Sequence, residues 1–230
     1  AVMPEIFLIG QVSVAARLLY VLYLAIALLI ALVLHEFAHA FMAYRLGDYT
    51  PRLSGRMSLD PRRHADPFGS VLLPGILLLP RLFGAALFPV FAYAKPQPLN
   101  PSNLRNPDTH PVVVAVAGIV MNLLVAFAFA GLFHLAAAAE LDELGRFLQA
   151  GLTVNITFAV LHLIPFPPLD GSRILARFLS GRARELYLSW DPYGALFILV
   201  IFFIFPGPIF AFVRIIGGGI CSMLGVSVCV

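Results

Sequence analysis

The sequence predicts an all-α polytopic membrane protein of about 4–6 transmembrane helices. A re-entrant or broken segment and a small β element near residues 50–100 complete the expected fold. Two observations carry that expectation. Hydrophobic residues make up 60% of the 230 positions and charged residues only 12%, with a mean hydropathy of +0.93. Soluble domains carry about 25% charged residues, so this chain has too little charge to coat a water-facing surface. The apolar residues also collect into runs long enough to span a bilayer, with the charges in the connections between them. An ordinary soluble globule, a disordered chain and a nucleic-acid binder are thereby excluded.

The first long apolar run is Leu18 to Leu34, continuing as helix to about Leu46, where Gly47-Asp48 ends it. Residues 45–66 are polar and rich in arginine. Residues 68–94 are apolar but interrupted by Pro74, Pro80, Gly84 and Pro89, which suits a re-entrant segment that returns to its own side. A Pro/Asn loop at 95–111 precedes the clean run from Val112 to Ala139. An acidic loop at 140–146, an apolar run over 147–168, a basic loop over 171–191 and a last span at Tyr193–Ile216 follow. All of this reads as one membrane-embedded domain over 1–230, with a core at 15–175 and a C-terminal transmembrane helix at 193–216. Cys221 and Cys229 read as small apolar residues of the tail, and Ala1-Val2-Met3-Pro4 as a remnant ahead of a native start.

Loop charge sets orientation. Residues 45–66 hold five arginines against three aspartates, and 171–191 hold Arg173, Arg177, Arg182 and Arg184. The 140–146 loop is acidic, with Glu140, Asp142 and Glu143. Cytoplasmic loops of membrane proteins are enriched in Lys and Arg, so the two basic loops are expected in the cytoplasm and the acidic one outside.

The chemistry concentrates at His35-Glu36-Phe37-Ala38-His39, an HExxH pattern at the end of the first span. Residues i and i+4 share one helix face, so the two imidazoles can grip one metal ion with Glu36 beside them as a base. Three ionisable groups at the end of a membrane helix are expensive, which favours function over packing. A catalytic zinc takes three protein ligands and keeps one open position. Asp170 is the best third candidate, since the prolines before it end the helix and the predicted topology brings it to the depth of His35 and His39. The alternative for Asp170 is a cap on the helix that follows.

The motifs His35-Glu36-Phe37-Ala38-His39-Ala40 with Gly47-Asp48, Ala94-Lys95-Pro96 with Asn100-Pro101, Gly118-Ile119-Val120-Met121-Asn122, and Pro165-Phe166-Pro167-Pro168-Leu169-Asp170-Gly171 occur in this order. In that combination the chain resembles the site-2 protease family of intramembrane zinc metalloproteases, in its compact form without a PDZ or CBS domain. The resemblance implies one zinc per chain on His35, His39 and Asp170, with Glu36 as the catalytic base. It further implies a transmembrane protein as substrate, a bilayer as surroundings and an active site toward the cytoplasmic leaflet. Two positions depart from the family's usual pattern: His162 stands where asparagine is common, and Ile119 where proline is.

Asn122 lies four residues after Gly118, so both share a helix face. It serves either as a neighbour of the active site or as glue between helices. Asn155 has the same two roles open, glue being favoured. His162 is either a donor to the site or a packed histidine, with packing favoured. His64, His110 and His134 read as structural or solvated. The segment 68–101 is the candidate gate or pairing edge for an extended substrate. The serine and aspartyl classes of intramembrane protease do not fit, because Phe178 and Arg45 stand where their motifs need glycine. A metal transporter or sensor and an inactive scaffold of the same fold remain as rivals, and the intact Glu36 speaks against both.

Overall fold

The structure, a computed structural model, describes residues 13–85, 90–204 and 206–226. The chain start Ala1–Pro4 and Cys229 lie outside them.

The first apolar run forms α1, Val14–Arg45, 32 residues or about 48 Å of helix. Ser13 caps it by accepting from the Ala16 N–H at 3.2 Å. The polar stretch after it holds two single turns, α2 at Thr50–Leu53 and α3 at Pro61–His64, each with a proline in its first turn, where no N–H is needed. A π-helical turn, Pro67–Leu72, capped by the Asp66 carboxylate, runs into α4, Leu73–Leu82. The chain then returns to where it left. Ala94 pairs with Ala65 in an antiparallel bridge, the Tyr93 N–H donates to the Gly69 carbonyl at 3.1 Å and the Lys95 N–H to the His64 carbonyl at 2.9 Å. That return is the path expected of a re-entrant segment. The β element is this isolated bridge, with no strand among the described residues.

Helix α5, His110–Ala138, and α6, Asp142–His162, form a tight antiparallel pair against α1. The acidic residues expected in a loop at 140–146 belong mostly to α6. Asp142 and Glu143 sit in its first turn, where carboxylates favour the positive end of the helix dipole. Of the apolar window of α6, 72% is buried, against 39% for α1 and α5. Helix α6 is therefore the centre of the bundle. Helices α1 and α5 present Leu22, Leu29, Leu124, Phe127 and Leu135 outward, as lipid-facing helices do. Among the described residues these three helices are long and apolar enough to cross a membrane, and the segments Pro67–Leu82 and Gly207–Met223 are shorter apolar helices. The architecture is that of an all-α polytopic membrane protein.

Short helices α7, Gly171–Ala176, and α8, Gly181–Leu188, lead to the C-terminal segment. Helix fills the span expected over 193–216 on both sides of position 205, as α9 at Asp191–Ile204 and α10 at Pro206–Met223. Ile209 and Val213 of α10 join the core formed with α5 and α6. Cys221 joins it too, buried among apolar side chains.

A polar staple ties the end of α1 to the loop before α5. The buried Asp48 carboxylate accepts from the Thr50 N–H and hydroxyl, the Asn100 N–H at 2.7 Å and the Asn103 amide at 3.1 Å. Burial pushes its carboxyl up, but these four donors outweigh burial and hold it below its ordinary value of 3.8. Asp48→Ala leaves buried donors without a partner and should cost about 2–4 kcal/mol in a denaturant titration. The sign with pH follows. Ionised Asp48 stabilises above its ordinary value, and that contribution is lost as pH falls below 3.8 toward the lower folded value. The difference in midpoint between wild type and Asp48→Ala should therefore shrink on acidification.

Candidate metal centre

His35 and His39 sit one turn apart on the last third of α1, with rings buried and their Nε2 atoms 2.9 Å apart. Asp170 reaches them from the turn before α7. Its Oδ2 lies 3.2 Å from His35 Nε2 and its Oδ1 3.3 Å from His39 Nε2. The three are the group of metal-ligating side chains that the described residues bring together. Asp170 occupies the N-cap position of α7 but makes no capping bond. Its carboxylate faces the imidazoles.

Hydrogen bonds on the far side of each ring determine what the near side offers. The Val114 carbonyl, 2.8 Å from His39 Nδ1, can only accept, so Nδ1 carries a proton and in the neutral ring Nε2 offers a lone pair. His35 Nδ1 lies 2.6 Å from Asn122 Oδ1. The orientation of that amide is fixed because its Nδ2 donates to the Ala31 carbonyl at 3.2 Å and to Asn155 Oδ1 at 3.0 Å. Asn155 is fixed in turn, its Nδ2 donating to the Gly151 carbonyl at 2.8 Å. His35 Nδ1 therefore also donates, which in the neutral ring leaves the lone pair on Nε2. Two lone pairs and a carboxylate converge at separations near the roughly 3.3 Å between ligands of a tetrahedral ion with bonds of about 2.0–2.1 Å. Such a donor set repels itself without a cation, and zinc fits it.

Asn122 is thus both a neighbour of the site and glue, linking α5 to α1 and to α6 while orienting a ligand. Asn155, expected as glue alone, is the next link of the same chain. His162 departs further from its expectation. Its ring stacks on Phe158 at 5.4 Å, as packing would have it, but its Nδ1 also donates to Asp170 Oδ2 at 3.0 Å. Carboxylate ligands held by such outer bonds keep their orientation. His64 is buried with Nε2 on the Ser58 carbonyl, His134 donates to the Leu224 carbonyl, and His110 accepts from the Asn106 N–H, all away from the site.

Gly118 allows this assembly. A Cβ there would lie 2.5 Å from His39 Nε2 and 2.7 Å from His35 Cε1, so α5 passes over the imidazoles only with glycine at this position. Gly171 does the same for the turn that carries Asp170, where a Cβ would collide with the Leu163 carbonyl.

The sequence did not single out two partners. Gln97 Nε2 donates to the Glu36 carboxylate at 2.8 Å and to the Glu36 backbone carbonyl at 2.9 Å, clasping the returning segment to α1. The Val114 carbonyl carries no side-chain signal at all. Gln97 lies inside the segment expected to gate the site, but nothing in its type distinguishes it.

Gly118→Ala should displace both imidazoles and abolish zinc binding while the bundle remains helical, checked by metal content beside circular dichroism. Asn122→Leu keeps the side-chain volume but leaves His35 Nδ1 without its acceptor. Zinc affinity measured against a competing chelator should fall about 10–100-fold. Asn155→Leu should weaken it less, since one link then separates the change from the ligand.

The chain is 33% identical over 189 residues to "Putative zinc metalloprotease YwhC" of Bacillus subtilis (strain 168), covering 78% of this chain and 80% of that protein. It is 32% identical over 178 residues to "Putative zinc metalloprotease Rip2" of Mycobacterium tuberculosis (strain ATCC 25618 / H37Rv), covering 76% of this chain and 64% of that protein. The Rip2 protein of Mycolicibacterium smegmatis is 28% identical over 177 residues, and the chain again spans less than two thirds of it, at 63%. No protein-family model and no solved structure matches. With a relative this similar over four fifths of its length, and with the motif order read above, the chain belongs to the site-2 protease family of zinc metalloproteases.

Proposed function

We propose that the chain is an intramembrane zinc endopeptidase that hydrolyses peptide bonds within or near transmembrane helices of other membrane proteins. The observation that carries this is a cavity of about 740 Å³ lined by Glu36, His35, His39 and Asp170 and walled by Leu32, Phe91, Phe158 and Leu169. Base, donor set and apolar walls meet there, inside a bundle whose outer faces are apolar.

His35, His39 and Asp170 would hold one zinc ion. Zinc supplies a Lewis acid for the scissile carbonyl and makes a bound water acidic near pH 7. Glu36 takes a proton from the attacking water and returns it to the leaving amine as the C–N bond breaks. The products are a carboxyl end and an amine end, and Glu36 finishes as it began. Gln97 holds the Glu36 carboxylate in one orientation. The Asn122 oxygen and the Val114 carbonyl keep the imidazoles facing inward, and His162 keeps Asp170 there.

Charge supports a site toward the cytoplasmic leaflet. Tyr23 on the N-terminal half of α1 donates to Glu143 at 3.1 Å, so the acidic start of α6 lies at that end. At the opposite end, the Arg105 N–H donates to the Leu46 carbonyl and Arg184 pairs with Asp108, which joins the basic segments to the end of α1 nearest the HExxH turn. Basic connections favour the cytoplasm.

Detergent-purified wild type should contain about one zinc per chain, lost in His35→Ala and in Asp170→Ala. Glu36→Gln should keep its zinc and lose cleavage of a reconstituted transmembrane reporter by about 10²–10⁴-fold. Full cleavage by Glu36→Gln would end the proposal.

A further inference from the structure

The cavity has an apolar floor and a cationic mouth. Phe91, Phe158 and Leu169 on the floor are buried, whereas Lys95, Arg173, Arg177 and Arg184 line the same cavity from more exposed positions. Two of the four cations are matched. Arg173 pairs with Asp191, and Arg184 lies 3.5 Å from Asp108. Lys95 and Arg177 are exposed and have no ion pair among the described residues. The other two carboxylates that line the cavity are Glu36, held by Gln97, and Asp170, facing three histidines. A divalent ion on the donor set balances those two, so the mouth keeps a surplus of two positive charges.

Glu36 lines the same cavity as these cations, so the flank of a segment bound against Glu36 lies beside them. We propose that Lys95 and Arg177 select substrates whose apolar segment is flanked by carboxylate side chains. This specificity rests on the site being that of an intramembrane protease. The argument has a repulsive half as well as an attractive one. Cytoplasmic flanks of membrane proteins are enriched in lysine and arginine. Like charges meeting at a partly desolvated mouth oppose entry, so two uncompensated cations turn away the common flank and admit the uncommon one.

The test uses zinc-loaded Glu36→Gln protein, which binds without cutting, in nanodiscs of phosphatidylcholine alone. The probes are two fluorescent peptides of about 20 apolar residues, one flanked at both ends by three glutamates and one by three lysines. The glutamate peptide should bind about tenfold tighter at low salt, and the gap should narrow at about 0.5 M salt. Adding Lys95→Glu with Arg177→Glu should reverse the preference. The milder pair Lys95→Gln with Arg177→Gln should level it and guards against misfolding of the first. Equal affinity for both peptides, or a preference indifferent to both double variants, overturns the proposal. A preference that arises only when phosphatidylglycerol is added assigns the cations to lipid and overturns it too. If wild type cuts neither peptide while the binding preference stands, the protease function falls and the selectivity of the mouth survives.

Discussion

The arrangement of the site depends on one buried hydrogen-bond chain. It runs from the Gly151 carbonyl through the amides of Asn155 and Asn122 to His35 Nδ1, with a branch to the Ala31 carbonyl. Asn122 and Asn155 are fully buried, where water cannot satisfy them. Every amide proton and oxygen in that path therefore needs a protein partner, and the partners lie on three different helices. Sliding α5 along α1 or α6 would break several of these bonds together. The same bonds that hold the helices in register turn one imidazole toward Asp170 and His39.

This coupling explains why a polar chain is retained at the centre of a membrane bundle. Lipid tails are as apolar as leucine, so burial alone gives helices little reason to choose one packing over another. Small residues and satisfied polar groups supply that choice. Gly118 lets α5 lie against the imidazoles, and Asn122, one turn later, fills the approach with hydrogen bonds. The ligand set inherits its precision from the packing, which is how a site tolerates being built from a long helix and a proline-rich turn.

The segment that leaves at Ala65 and returns at Ala94 contributes the third wall. Its backbone bridge brings Lys95 and Gln97 to the site, one exposed at the cavity mouth and the other bonded to Glu36. Gln97 thereby ties the position of the returning segment to the Glu36 carboxylate. Lys95 at the mouth and the Glu36 carboxylate are then positioned by the same stretch of chain.

The apolar spans, the return of the broken segment, the HExxH pair and the candidacy of Asp170 are all legible along the chain. They follow from periodicity, run length and the rarity of ionisable groups in such runs, which are local properties. The same spacing puts Gly118 and Asn122 on one face. What these residues face is a matter of packing between distant segments. Asp170 could have capped α7, and its carboxylate turns to the imidazoles because α1 and α6 end side by side. His162 could have been filler, and Asn155 simple glue, had neighbouring helices not put a carboxylate and an amide within reach. Gln97 and the Val114 carbonyl are illegible for a plainer reason: a hydrogen-bond partner is chosen by distance in space, and sequence records distance along the chain.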